Sequence, residues 1–221
     1  MANLLFDYDG TLHQCHKIYI SAFRETDAWL TGMGALPSVS RSDADINAWL
    51  GCTAGEMWAS YAPGLDPGLQ KEGSSRIGSS MLKAIKEGKA ELYPGALNVL
   101  RELKEMGHKL FLLSNCSAVY LETHRSFFGL DSFFTRIVPA EEYGWEPKQV
   151  ITARLMEEHP GQWAVIGDRR HDKAIAENHS LPFIACLYGY APEGELDRAT
   201  RTINALTELP EAVSSIFPEQ N

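Results

Sequence analysis

The chain has 221 residues and a formal net charge of −9, with 44% hydrophobic and 22% charged residues, which suits one large globular domain or a core with an inserted module. The acidic balance argues against nucleic acid and against an anionic membrane surface as partners, so an anionic small substrate must be met by local cations. No apolar run approaches a membrane span. The N-terminus lacks a basic n-region and a cleavage site, and the scattered cysteines Cys15, Cys52, Cys116 and Cys186 form no Cys-x-x-Cys; together these predict a cytoplasmic protein with reduced thiols.

Leu4, Leu5 and Phe6 form an apolar run that reads as a buried parallel strand, and it ends abruptly in Asp7 and Asp9. Strand side chains alternate, so both carboxylates project to one side if the strand continues. Gly10 then permits a sharp turn. Two like charges there repel unless a cation intervenes, and a hard cation with a phosphate would resolve the conflict. His13-Gln14-Cys15-His16 is spaced too tightly for a usual zinc site and reads as the exit from the strand.

Helical patterns follow over Ile18–Leu30, Ser42–Leu50, Glu56–Tyr61 and Leu69–Lys89, with no convincing strand among them. Trp29, Trp49 and Trp58 suit the core of such a block. Arg24, Arg41, Lys71 and Arg76 read as surface charges, with contact to a leaving group as the sharper alternative; Gly51–Gly55 is an interhelical turn or a substrate loop.

From residue 90 the style changes. A helix through Leu97–Met106 leads to a strand over Lys109–Leu113, which ends in Ser114-Asn115. A helix over Val119–Phe128, a short strand at Ile137-Val138 and a helix over Gln149–Glu158 come next. Then follow a strand over Trp163–Ile166 ending in Gly167-Asp168, a helix over Asp172–Asn178, a strand over Phe183–Leu187 and a closing helix near Pro210–Ile216. Strand and helix alternate, which predicts an α/β fold: a doubly wound parallel sheet of residues 1–14 and 90–221, with an all-helical module of residues 15–89 inserted after the first strand.

Ligands in such sheets bind beyond the carboxyl ends of the strands. Asp7, Asp9, Ser114, Asn115, Asp168 and Asp172, together with Lys148 at a helix start, would meet at one edge. Each has a plainer reading alone: Ser114-Asn115 can cap a helix, Lys148 can be a surface lysine, and Asp168 and Asp172 can be helix N-terminal acids. Their shared location points to phosphoryl transfer, which needs positioning and charge neutralisation. Asp7 can attack phosphorus. Asp9, near other acids, is expected to have a raised pKa and to act as acid, then base. Ser114 and Lys148 can donate to phosphoryl oxygens.

Asp7-Tyr8-Asp9-Gly10-Thr11-Leu12, Ser114 after an apolar strand, Lys148, and Gly167-Asp168-Arg169-Arg170-His171-Asp172 resemble, in that order, the four motifs of the haloacid dehalogenase-like phosphohydrolase superfamily. Leu92-Tyr93-Pro94-Gly95-Ala96 and Leu187-Tyr188-Gly189-Tyr190 look like its phosphoglycolate phosphatase-like branch. The order Pro147-Lys148 departs from the Lys-Pro of many relatives. The resemblance implies a Rossmann-like core with a helical cap and hydrolysis of a small phosphorylated metabolite. It makes Asp7 the nucleophile and Asp9 the acid/base, with Asn115, Gly10 and Thr11 at the phosphate. Mg²⁺ would be held by the Asp7 carboxylate, the Asp9 backbone carbonyl and Asp168, with Asp172 in support. A beta-phosphoglucomutase-like phosphotransferase and a non-catalytic phosphoacceptor module are the alternatives; dehalogenases lack the second acid of the first motif, which in this chain is Asp9.

Overall fold

The computed structural model describes residues 1–218. Contacts divide the chain into two units, one of Met1–Gln14 with Leu92 onward, the other of Cys15–Glu91.

The first unit is built on a six-stranded, all-parallel sheet, as the alternation of strands and helices predicts. The strands are β1 (Asn3–Phe6), β2 (Lys109–Ser114), β3 (Phe134–Pro139), β4 (Trp163–Gly167), β5 (Phe183–Cys186) and β6 (Arg201–Ile203), in spatial order β3-β2-β1-β4-β5-β6. The chain steps outward from β1 in one direction and then returns to its other side, so β1 and β4 flank the point where strand order reverses. Leu5, Phe111, Leu113 and Val165 lie in one buried cluster with Ile151, Leu155, Ile175 and Ala176. The intervening residues Leu4, Phe6, Leu110 and Leu112 are equally buried, and alternation sends them to the opposite face. Both faces are therefore covered, which is why these strands read as unbroken apolar runs.

In chain order, the helices of the two units are α1 (His16–Gly32), α2 (Asp43–Asn47), α3 (Ala54–Tyr61), α4 (Pro67–Lys86), α5 (Ala96–Glu105), α6 (Ala118–Phe128), α7 (Lys148–Glu158), α8 (Arg170–His179) and α9 (Leu209–Ile216). β3 extends well beyond the expected Ile137-Val138, over Phe134–Pro139, and two further elements differ from expectation. β6 is an additional strand: three residues, two of them exposed, carry no periodic signal. The helix expected to reach Leu50 stops at Asn47, and residues 48–51 continue as turns.

The second unit contains α1–α4. Capping boxes start α2 (Ser42 with Asp45) and α3 (Thr53 with Glu56), so Thr53 of the glycine-flanked loop is used as a helix cap. Gly73 of α4 lets Trp58 approach so closely that a Cβ there would lie 2.6 Å from its ring, and Trp58 Nε1 donates to Ser74 Oγ at 2.7 Å. Phe23, Trp49 and Tyr61 pack ring against ring. Arg24 pairs with Asp43, Arg41 with Asp27, and Arg76 with Glu72 while lying over the Trp29 ring, so these three cations have partners within their own unit.

Candidate active site

Asp7 follows β1 directly, and its N–H still donates to Ile166 O at 2.9 Å, which ties it to β4. Its carboxylate is buried. Lys148, the first residue of α7, is buried as well, and its Nζ lies 2.7 Å from Asp7 Oδ1 and 2.7 Å from Asp172 Oδ1. The Pro147-Lys148 order is therefore compatible with an inward ammonium: Pro147 occupies the N-cap position, and Lys148 opens the helix behind it.

Asp168 follows β4 and is fully buried. Its Oδ1 accepts from Thr11 Oγ1 at 3.2 Å and its Oδ2 from the Tyr190 N–H at 2.8 Å. Two glycines make room for it. Gly10 has φ +90° and a Cβ there would fall 2.1 Å from Asp168 Oδ2; a Cβ on Gly189 would fall 2.3 Å from Asp168 Cβ. Asp172 lies in the first turn of α8, where its Oδ2 accepts from the Arg169 N–H at 3.1 Å. Tyr188 OH donates to Thr11 O at 2.8 Å and stands edge-on to Tyr93, bracing the loop after β1.

Asp7, Asp168 and Asp172 each offer a carboxylate oxygen within 4.8 Å of the others. One lysine faces three acids, and the protonation equilibria register the excess. Burial, then the charge of Asp172, pushes Asp7 up to about 7 despite Lys148. Burial and the charges of Asp7 and Asp172 raise Asp168 well above the carboxylate range. Burial opposes the Lys148 ammonium, but the charges of Asp172 and Asp7 outweigh it and hold it protonated. Oxygen ligands with surplus negative charge in a buried setting are what a hard divalent cation takes, so the residues present fit Mg²⁺.

Asp9 behaves differently from expectation. Its Oδ1 accepts from His13 Nδ1 at 2.7 Å and from Tyr120 OH at 2.9 Å, and the strand geometry that would align it with Asp7 ends at Phe6. Burial would raise its pKa, but the hydrogen bond and charge of His13 and the Tyr120 hydroxyl outweigh burial and lower it. The acid with the displaced upward equilibrium at this strand end is Asp7. Behind Asp9, Tyr8 OH donates to His124 Nδ1 at 2.8 Å; burial, with His13 alongside, pushes His124 down to about 3, so it is neutral and accepts.

Ser114 ends β2 and is buried, while Asn115 is half-buried just beyond it. The helix cap is neither of them: Ser117 Oγ accepts from Tyr120 N and caps α6, so the plainer reading of Ser114-Asn115 does not apply. Thr11 and Gly10, expected near phosphate, are placed against Asp168. Sequence reasoning missed His13, Tyr120 and Gly189. A signal for the first existed in the Asp9-to-His13 spacing of four within a tight loop, and for the second in Tyr120 and His124 at i, i+4 on α6.

A pyrophosphatase, PpaX, from Bacillus mycoides is 22% identical over 227 aligned positions, spanning 93% of this chain and 97% of that protein. Among solved structures, a predicted phosphatase from Clostridium acetobutylicum superposes with TM-score 0.81 at 21% identity, covering 97% of this chain and 98% of the other. A predicted phosphoglycolate phosphatase from Haemophilus somnus gives 0.79 at 17% identity, covering 96% and 98%. These likenesses share the fold. The family profile described as haloacid dehalogenase-like hydrolase matches residues 4–186. A match of that span, from within β1 to the end of β5, carries the assignment: this chain belongs to the haloacid dehalogenase-like hydrolases.

Proposed function

We propose that the protein is a Mg²⁺-dependent phosphatase that hydrolyses a small phosphomonoester metabolite through an aspartyl phosphate on Asp7, with residues 15–89 as its cap. The observation that carries this reading is the buried Lys148 ammonium 2.7 Å from both Asp7 and Asp172, with Asp168 completing an acid group that has surplus negative charge.

In this reading the Asp7 carboxylate attacks phosphorus, the bond from phosphorus to the leaving oxygen breaks, and Asp9 delivers a proton to that oxygen. Water then attacks the phosphorus of the aspartyl phosphate, Asp9 takes its proton, and phosphate leaves with Asp7 restored. An arriving phosphate dianion favours the protonated form of Asp9, and the low equilibrium set by His13 and Tyr120 favours its return to base. Ser114 and Lys148 donate to phosphoryl oxygens, with Asn115, Gly10 and Thr11 shaping the phosphate pocket. Mg²⁺ would be held by Asp7, Asp168 and the Asp9 carbonyl with Asp172 in support, and when bound it neutralises the repulsion between nucleophile and phosphate. The helical unit, as a cap, excludes bulk water and selects the leaving group.

Phosphoglycolate is the first substrate to test, from the branch resemblance and the Haemophilus somnus neighbour. Pyrophosphate is the second, because PpaX is a pyrophosphatase. Phosphate release from 2-phosphoglycolate, pyrophosphate and a panel of sugar phosphates, with Mg²⁺ or with chelator, tests the proposal. Metal-dependent release from at least one compound is expected; no release from any of them overturns it.

A further inference from the structure

Asp9 is held on one side only. Both of its hydrogen bonds, from His13 Nδ1 and from Tyr120 OH, end on Oδ1. Among the described residues Oδ2 receives no such bond, and the Asp9 side chain keeps 17% of its surface exposed while His13 keeps none. A carboxylate fastened through one oxygen presents the other in a set direction.

The fastening groups are themselves immobilised. The His13 ring stacks on Tyr8, with centroids 5.3 Å apart and planes 12° apart, and meets His124 edge-on at 4.4 Å. Tyr120 meets the same His124 at 4.5 Å. The His13 backbone is pinned as well: its N–H donates to Tyr8 O at 2.9 Å, and its carbonyl accepts from the Gly10 N–H at 2.9 Å. Among the described residues Nε2 of His13 has no hydrogen-bond partner; the ring's polar contacts run through Nδ1, at 2.7 Å to Asp9 Oδ1 and 3.4 Å to Tyr120 OH. A buried imidazole with one idle nitrogen is a costly way to fill space that a phenyl ring would fill, unless the Nδ1 contact is what the position supplies.

We propose that His13 and Tyr120 are positioning residues that lock Asp9 through Oδ1, so that Oδ2 is the oxygen that hands the proton to the leaving group. The proposal rests on the reading of Asp9 as the acid. It assigns to this chain a device built from the loop after β1 and the first turn of α6, two segments far apart in sequence. Loss of either donor lets the carboxylate rotate, and proton delivery suffers while phosphate binding does not.

Leaving-group dependence reads this directly. p-Nitrophenolate departs without a proton, whereas an alkoxide needs one. kcat/KM covers only the steps through leaving-group departure, so it isolates the acid role from the later base role. The variants are Tyr120→Phe, His13→Phe and His13→Asn, whose amide nitrogen can stand in for Nδ1, with Asp9→Asn as reference. For an alkyl phosphate, kcat/KM is expected to fall at least about tenfold in Tyr120→Phe and His13→Phe, as loss of part of a general-acid contribution requires. For p-nitrophenyl phosphate the fall is expected to be several times smaller, and His13→Asn recovers much of the alkyl activity. Equal losses on both substrates, or none on the alkyl ester, with Asp9→Asn selective, overturn the positioning role alone. A non-selective Asp9→Asn overturns the acid reading and the proposal with it. Tyr120→Phe keeps the ring and decides the matter even where His13→Phe fails to fold.

Discussion

The ammonium of Lys148 sits 2.7 Å from Asp7 Oδ1, and both groups are buried. The same nitrogen reaches Asp172 at the same distance, so a single cation is shared between the end of β1 and the start of α8. Lys148→Met removes the only cation that, among the described residues, is bonded to these two acids, and leaves the carboxylates facing each other. At pH 8, breaking such a buried pair is expected to lower stability by about 3 kcal/mol, and by less at pH 6, where the acids take up protons. Urea unfolding at the two pH values measures the difference. Phosphate release by the variant is expected to fall by at least about a hundredfold, since an electrostatic donor to the phosphoryl group is lost.

The acid cluster predicts a pH dependence of stability with a definite sign. Asp7 titrates near 3.8 when unconstrained and is pushed up to about 7 in the fold, by burial and then by Asp172. Between those values the folded state binds more protons than the unfolded one. The metal-free protein therefore loses stability as pH rises from about 4 to about 7, by at most about 1.4 kcal/mol per pH unit for one group. Mg²⁺ binds the ionised cluster, so its stabilising effect is expected to be larger at pH 8 than at pH 5.5. Thermal unfolding at both values, with and without Mg²⁺, checks this. In Asp7→Asn the difference between the two pH values shrinks.

Much of this arrangement is legible in the sequence, for a simple reason. β1, β2 and β4 are buried on both faces, so each reads as an apolar run, and the residue that breaks the run stands at the edge where ligands bind. Asp7, Ser114 and Asp168 are found that way. β6 escapes because three residues at a sheet margin, two of them exposed, show no pattern. The direction of Asp9 is only half legible: His13 stands four residues on, but the second bond comes from Tyr120 of α6, more than a hundred residues away, which local spacing does not report. The place of Lys148 at a helix start is legible, but its burial is not, because that follows from the way α7 packs against the sheet.

Gly189 offers a test of how tightly Asp168 is held. A Cβ there would lie 2.3 Å from Asp168 Cβ, and the position carries no left-handed backbone strain, so Gly189→Ala displaces the carboxylate without a conformational penalty of its own. The apparent Mg²⁺ activation constant is expected to rise about tenfold or more, as when a group that orients a metal ligand is disturbed. Titrating activity against Mg²⁺ measures it, and an unchanged constant would remove Asp168 from the metal site.

Nucleophilic attack by Asp7 is tested most directly by phosphate release from p-nitrophenyl phosphate, by wild type and by Asp7→Asn, in the presence of Mg²⁺. Metal-dependent turnover is expected of the wild type, with a loss of at least about a thousandfold in Asp7→Asn, because the amide cannot form the aspartyl phosphate. Turnover by Asp7→Asn at the wild-type rate would contradict the assignment of Asp7 as nucleophile.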